Sequence, residues 1–485
     1  MKINLKKQWL LGLVASSLVL AGCNPNNDDD DNDDPAEEVA KTHLRVFHGS
    51  SDAPAVNVHL NNASAISALD FAESSGFVEL NAGDYSAEVF GILPSGANTD
   101  AVISADLDLE EDKKYTVVAV NTLADEDMNG SSDITAKVFE DAGSLSDANL
   151  VRVQVAHLTF GVPQVYVHVT TPDADLSENT VLGTVAFDDD APLGPVEIDA
   201  GDYQIRVTTD AAGTSVAFNS GTVTLAAGSD LLVGAIPNTS GLTDSPVALA
   251  VLNGTEASVI YDADDGAQVR PVHLVSDVDE VNIGAAANTT PGDDVTDFSL
   301  YTNVDFTQVG AYTSGLASGS YDFAVDATAD DQGDITLDGA NLTAGVSVTA
   351  FAMGTLGVEM GDDIPLTIET YVDDHRGLAT SAKVRIIHGS AGTGLVDLYA
   401  TASDDISSAT PAFEDVPFKA STGYFEVDPG TYHFTATLAD TQTIGLASGA
   451  VTLEAGDIIT IIARDLDSDD SEEGAPLLQA LVISD

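Results

Sequence analysis

Four stretches of the chain open in the same way, and this internal repetition constrains the fold more than any other feature. They read Leu44-Arg45-Val46-Phe47-His48, Val153-Gln154-Val155-Ala156-His157, Val269-Arg270-Pro271-Val272-His273 and Val384-Arg385-Ile386-Ile387-His388. The histidines lie 109, 116 and 115 residues apart, so the repeating unit is of domain size. Eight residues after each one, apolar and polar residues alternate, as in Val56-Asn57-Val58-His59-Leu60 and Val165-Tyr166-Val167-His168-Val169. Alternation with period two puts one residue set on each face of a β-strand. A third landmark is Gly-x-Tyr, at Tyr85, Tyr203, Tyr321 and Tyr432. Here glycine is expected to supply the positive φ of a tight turn, and the tyrosine to enter a strand with its ring packed and its hydroxyl near the surface. A fourth is a turn, such as Ala455-Gly456-Asp457, that leads into a buried strand and then a closing one.

Units of about 110 residues with six to eight short strands separated by Gly and Asp turns predict an all-β chain. We expect four tandem immunoglobulin-like or prealbumin-like β-sandwiches, at 41–146, 147–265, 266–380 and 381–485; short junctions hint at a semi-rigid array, and a rigid rod and a flexible string both stay open. A single Cys and a single Trp exclude the core Cys pair of an antibody domain, and also exclude Cys-based zinc sites. Composition agrees with a packed fold: 44% of residues are apolar although 79 acids face only 16 bases, a formal charge of −63. Such acidity repels phosphate backbones, so no nucleic-acid partner is expected.

Residues 1–22 carry Lys2, Lys6 and Lys7 ahead of an apolar run from Trp9 to Leu20 and then small residues, the pattern of a secretory signal. Leu20-Ala21-Gly22-Cys23 resembles the lipobox of bacterial lipoproteins. The resemblance implies cleavage before Cys23, acylation of that cysteine, and a membrane anchor. Cleavage would leave 79 acids against 13 bases. Asn24, where such lipoproteins often carry Asp for inner-membrane retention, favours the outer membrane, facing the periplasm or the outside. Residues 23–40 hold the run Asp28-Asp29-Asp30-Asp31-Asn32-Asp33-Asp34 and read as an acidic disordered tether.

The Arg-Val-x-His opening, the run Ser51-Asp52-Ala53-Pro54-Ala55-Val56-Asn57-Val58 and the Gly-x-Tyr turn resemble the secreted bacterial family named domain of unknown function 4397. Repeat 4 has Gly392-Thr393-Gly394 where Asp-Ala-Pro would stand, and repeat 2 has Gln154 in the arginine position. The resemblance implies an extracytoplasmic β-domain and brings no mechanism with it.

Site chemistry is sparse. The recurrent His48, His157, His273 and His388 occur once per unit, whereas a metal site needs three or four ligands. Pairing of His48 with His59, or of His157 with His168, could give a partial zinc or copper site. The structural alternative is that each histidine and the arginine before it hydrogen-bond the adjoining turn and fix a corner of the sandwich. Asp125, Asp127, Asn129 and Asp133, with Gly130, form the front half of an EF-hand-type calcium loop, but position twelve is Ala136, not Glu. Calcium binding there, and at the acidic loop from Asp465 to Glu473, stands beside a second reading as solvated acidic loops. No nucleophile elbow or phosphate loop is present, so no enzyme is expected. What remains is a non-enzymatic envelope protein displaying its sandwiches for adhesion, scaffolding or envelope interactions. The alternative is a glycan or small-ligand binder using exposed aromatics such as Tyr166 or Tyr399.

Overall fold

A computed structural model describes residues 39–124, 133–141, 143–177, 180–242, 245–288, 295–313, 315–328, 333–356, 365–466 and 478–485. The signal segment, Cys23 and most of the tether lie outside them, as do Asp125, Asp127 and Asn129.

The first strands of the repeats are Lys41–His48, Leu150–His157, Gln268–Val275 and Ala382–His388. Each lies parallel to the seventh strand of its own repeat: Lys114–Val120, Asp230–Pro237, Ser347–Gly354 and Ile458–Arg464. In repeats 1, 2 and 4 the strands of one sheet run in the order fourth, first, seventh, eighth. Repeat 3 replaces the fourth strand with isolated bridges at Ala267–Leu316 and Val272–Val309. Repeat 2 adds a strand, Ala257–Ile260, beyond its eighth. The facing sheet has the order third, second, fifth, sixth in all four repeats. An immunoglobulin sandwich keeps its first two strands in one sheet, whereas here they fall in opposite sheets. The repeats are therefore prealbumin-like sandwiches.

The core of each repeat forms from the inward residues of both sheets. In repeat 4, Val384, Ile386, Ile459 and Ile461 of one sheet meet Val396, Leu398, Phe434 and Ala436 of the other. Repeat 2 repeats this with Val151, Val153, Val155 and Val233 against Val165, Val167, Ile205 and Val207. The turn before each seventh strand needs a positive φ: Gly228 (82°), Gly345 (77°) and Gly456 (90°) supply it at low cost, and Asp112 adopts it at 61°.

The first-strand sheets are buried on both faces, and this sets the arrangement of the whole chain. Every residue of Gln268–Val275 and of Ala382–His388 is buried, which one sandwich core cannot achieve. The outer face of this sheet in repeat 1, with Phe47, Val118 and Phe139, packs on Leu158, Leu232, Ile236 and Leu252 of repeat 2. Repeats 3 and 4 pair likewise through Val272, Leu274, Phe351 and Met353 against Ile387, Ile462 and Ile483. A side chain of this kind contributes roughly 1.5–3 kcal/mol on full burial, so each seam is a second core. The chain is thus two back-to-back pairs of sandwiches.

Candidate functional site

The recurrent histidine ends the first strand in repeats 1, 2 and 4 and stands two residues before its end in repeat 3, with its ring turned into the core. His48, His273 and His388 are fully buried. Each Nδ1 accepts the backbone N–H two residues on, from Ser50 (3.3 Å), Val275 (3.2 Å) and Ser390 (3.4 Å). Each Nε2 faces a carbonyl across the following turn, Pro54 (3.0 Å), Val278 (3.0 Å) or Gly394 (2.9 Å). A ring that accepts at Nδ1 and donates at Nε2 is neutral, and burial lowers all three below the ordinary histidine value, His273 to about 4. His157 accepts from Thr159 N at 3.3 Å, while its Nε2 faces the Pro163 and Val162 carbonyls of the altered turn without closing a full hydrogen bond to any described residue.

The preceding arginine takes a different role from the one expected. It does not reach the turn. It points out of the opposite face of the sheet, where Nε donates to a threonine on the parallel seventh strand: Arg45 to Thr116 (2.8 Å), Arg270 to Thr349 (2.7 Å) and Arg385 to Thr460 (3.0 Å). The reason is pleat: three residues from the histidine, a strand side chain must face the other way. Each guanidinium also covers an aromatic ring, with Phe77, Tyr312 and Tyr424 at 4.6, 4.6 and 4.5 Å. In repeat 2 the paired positions are Gln154 and Leu232, so both partners of the contact have changed together.

In the second seam these arginines exchange carboxylates. Arg385 donates to Asp373 of repeat 3 at 2.6 Å, and Arg270 pairs with Asp485 of repeat 4. Each aspartate directly follows the eighth strand of its repeat and is held at home by a tyrosine and a threonine. Tyr312 (2.8 Å) and Thr349 (2.6 Å) donate to Asp373, and Tyr424 (2.8 Å) and Thr460 (3.2 Å) to Asp485. In the first seam the register-equivalent Asp141 takes Arg152 of repeat 2 instead (2.9 Å). Among the described residues Arg45 forms no such ion pair, and burial lowers its pKa to about 10, partly opposed by the charges of Asp230 and Asp141. Sequence reading missed these aspartates because acids are abundant and no local motif surrounds them.

The Asp of the Ser-Asp-Ala-Pro turn is a clasp. Asp52 accepts from Leu123 N (2.7 Å) and Ala124 N (2.8 Å), at the base of the 125–133 loop, and Asp277 accepts from Leu356 N (3.1 Å). Where repeat 4 has Gly392, the tie is built from the other side: Asp465 accepts from Ala391 N at 2.8 Å. The tyrosine landmark is equally regular. The hydroxyls of Tyr85, Tyr203, Tyr321 and Tyr432 donate to the carbonyls of Asn81 (2.9 Å), Asp199 (2.8 Å), Ala317 (3.0 Å) and Asp428 (2.7 Å), always four residues back. The glycine beside it has positive φ only at Gly83 and Gly201. At Gly319 and Gly430 neither φ nor space demands glycine, since a Cβ would lie 3.9 and 3.8 Å from the tyrosine ring, an ordinary packing contact.

The paired-histidine sites do not form. His48 lies in the core while His59 faces out of the second sheet against Phe90, with ring centroids 4.9 Å apart. His168 is buried between Thr180 (2.9 Å) and Thr208 (3.1 Å). Among the described residues no three His, Cys, Asp or Glu side chains are grouped to hold a metal. Of the candidate calcium ligands only Asp133 is described, with its carbonyl accepting from Asn121 (3.1 Å). An apolar void of about 30 Å³ inside repeat 1, lined by residues such as Val58, Val89 and Leu107, has room for little more than a water. Tyr399, expected at the surface, is 3% exposed.

The model of the family described as domain of unknown function 4397 matches residues 42–168, 267–399 and 382–478, well over half of the chain. The chain belongs to this family. Two of the DUF4397 matches run past their own repeat into the first two strands of the next, and 169–266 is unmatched. That gap falls in the repeat that lacks the arginine, the threonine and the terminal aspartate. No curated protein matches the chain. Among solved structures, a provisionally assigned cell adhesion protein from Parabacteroides distasonis aligns at 10% identity and TM-score 0.16, over 46% of this chain and 99% of that one. The multi-modular glycogen-degrading pneumococcal virulence factor SpuA aligns at 8% and 0.13, over 59% and 37%. At such scores neither alignment carries an argument about this DUF4397 protein.

Proposed function

We propose that the protein is a non-enzymatic, lipid-anchored envelope protein that displays its four sandwiches for adhesion or scaffolding. The observation that carries this reading is the direction of the sheets. The first-strand sheets are consumed in the two seams, which leaves the second sheets, with exposed acidic residues such as Asp84, Asp106 and Asp108, on the outside. A body of this kind is built to present surfaces, and its basic side chains are turned to internal use. Arg152, Arg206, Arg270, Arg376, Arg385 and Lys383 all bond within the chain. Such a surface suits a cationic or cation-bridged partner and repels anionic ones. The lipobox at Cys23 supports the anchor, and Asn24 supports the outer membrane.

The test compares the wild type with Cys23→Ser in a Gram-negative host, reading palmitate incorporation, membrane fractionation and cell-to-surface attachment. The expected result is labelled, outer-membrane protein that promotes attachment, and an unlabelled, soluble Cys23→Ser that does not. Unlabelled wild-type protein would remove the anchor, and anchored protein without any effect on attachment would remove the display role.

A further inference from the structure

A phenylalanine stands edge-on to the landmark histidine in all four repeats. The pairs are His48–Phe71, His157–Phe187, His273–Phe306 and His388–Phe418, with centroids 6.4, 6.5, 5.9 and 6.4 Å apart and planes at 80–87°. Over each of these rings lies a basic side chain, at 5.4 Å for Arg376 on Phe71, 4.6 Å for Lys137 on Phe187, 5.3 Å for Arg464 on Phe306 and 5.7 Å for Lys419 on Phe418. In three repeats the cation comes from outside the repeat that owns the ring: Lys137 from repeat 1, Arg464 from repeat 4, and Arg376 from the last residues of repeat 3. In the fourth, Lys419 belongs to repeat 4 itself but reaches Glu369 of repeat 3 at 3.0 Å. A chain with 13 bases beyond its signal segment places four of them at the same corner of the same module. Chance distribution over a surface this acidic would not do so.

The corner of repeat 1 is the most fully built. Arg376 donates to the Ala53 carbonyl at 2.9 Å, to the Ser51 carbonyl at 3.4 Å and to Asp70 at 2.6 Å, while its plane covers Phe71. Two carbonyls, a carboxylate and an aromatic face are what a guanidinium fork requires. The carbonyls belong to the Ser-Asp-Ala-Pro turn that His48 fixes from below, so the corner is set before the arginine arrives. Ala379 N adds a bond to Asp52 O at 2.8 Å.

The segment 373–381 that carries Arg376 also touches the other three repeats. Asp373 meets Tyr312 of repeat 3 and Arg385 of repeat 4, and Asp374 pairs with Lys383 at 2.6 Å. His375 lies against Gly241 of repeat 2, where an added Cβ would come within 2.5 Å of its ring. Between the two pairs of sandwiches there is little else of the kind seen in the seams. The described contacts between repeats 2 and 3 are local, such as Ser347 donating to Ser240 O at 3.0 Å and Tyr261 packing on Gly345.

We infer that the His–Phe corner is a cation socket through which the repeats dock on one another, and that Arg376, seated in the socket of repeat 1, is the latch that closes the first pair of sandwiches onto the second. The seams hold each pair together by apolar burial. The latch holds pair to pair by one charged, polar contact that can open without unfolding either.

The experiment uses the full chain. Trypsin cleavage after Arg376, followed by mass spectrometry, reads how often the latch is out of its socket, and small-angle scattering reads the overall dimensions. Phe71→Leu keeps apolar bulk and removes the ring, and Asp70→Asn removes the charge of a half-exposed carboxylate. Each is expected to speed cleavage at Arg376 about tenfold, the equivalent of ~1.4 kcal/mol of lost contact. Arg376→Ala is expected to enlarge the radius of gyration with strand content unchanged. If Phe71→Leu unfolds repeat 1, Asp70→Asn decides the matter alone. Cleavage unchanged in Asp70→Asn, or unchanged dimensions in Arg376→Ala, would overturn the latch.

Discussion

Arg385 of repeat 4 reaches across the second seam to Asp373 of repeat 3 at 2.6 Å, and Arg270 makes the reciprocal reach to Asp485. The two links are related by the same swap of partners: each aspartate is fixed by the hydroxyls of its own repeat and takes its short charged contact from the neighbouring one, with Arg270 a further 3.8 Å partner of Asp373. Desolvating two charges is costly, and removing one partner leaves the other buried and unpaired.

Arg385→Met is therefore expected to cost about 3–5 kcal/mol in urea unfolding of repeats 3 and 4. Combining it with Asp373→Leu should recover part of that loss, because no charge is then stranded. A single-variant loss below about 1 kcal/mol would show that water reaches the pair.

Two glycines of repeat 4, one in the turn before the seventh strand and one beside the tyrosine landmark, differ in what they are for. Gly456 has φ +90°, so Gly456→Ala should cost about 1–2 kcal/mol through backbone strain. Gly430 has ordinary φ and 3.8 Å of clearance to the Tyr432 ring, so Gly430→Ala should cost much less. Tyr432→Phe, which removes the bond to Asp428 O, is expected to cost about 0.5–1.5 kcal/mol. Chemical denaturation of the three variants checks the order.

His273 gives a pH dependence with a defined sign. Its folded pKa is lowered from 6.5 to about 4 by burial, partly opposed by the carbonyl of Val278. The unfolded chain therefore binds the proton more readily, and the contribution of the neutral ring is present above pH 6.5 and lost as pH falls towards 4. The loss should approach about 3 kcal/mol. His273→Gln should flatten this part of the stability profile relative to the wild type, and identical slopes in both would refute the assignment.

Divalent cations should stabilise the chain through general screening. Calcium and magnesium at matched ionic strength are expected to raise the unfolding midpoint alike, because acids are spread throughout the sequence. A rise specific to calcium, abolished by Asp127→Asn, would instead establish the 125–133 loop as a binding site.

The sequence by itself determined the module and its count. Four spaced histidines, period-two alternation and recurrent turns were sufficient for an all-β chain of four sandwiches, because these signals are local: a strand's two faces and a turn's φ are written in neighbouring residues. The histidine corner was legible for the same reason, since its ring bonds groups two to six residues away. Tertiary structure alone decided what the arginines do. Arg45 and Arg270 stand in the same motif, yet Arg270 pairs with a carboxylate 215 residues away, while among the described residues Arg45 forms no ion pair and lies over Phe77. It also decided that the modules pack in pairs. Residues such as Phe47, Val272 and Ile387 face away from their own cores, and only the position of another repeat turns that outward face into an interior.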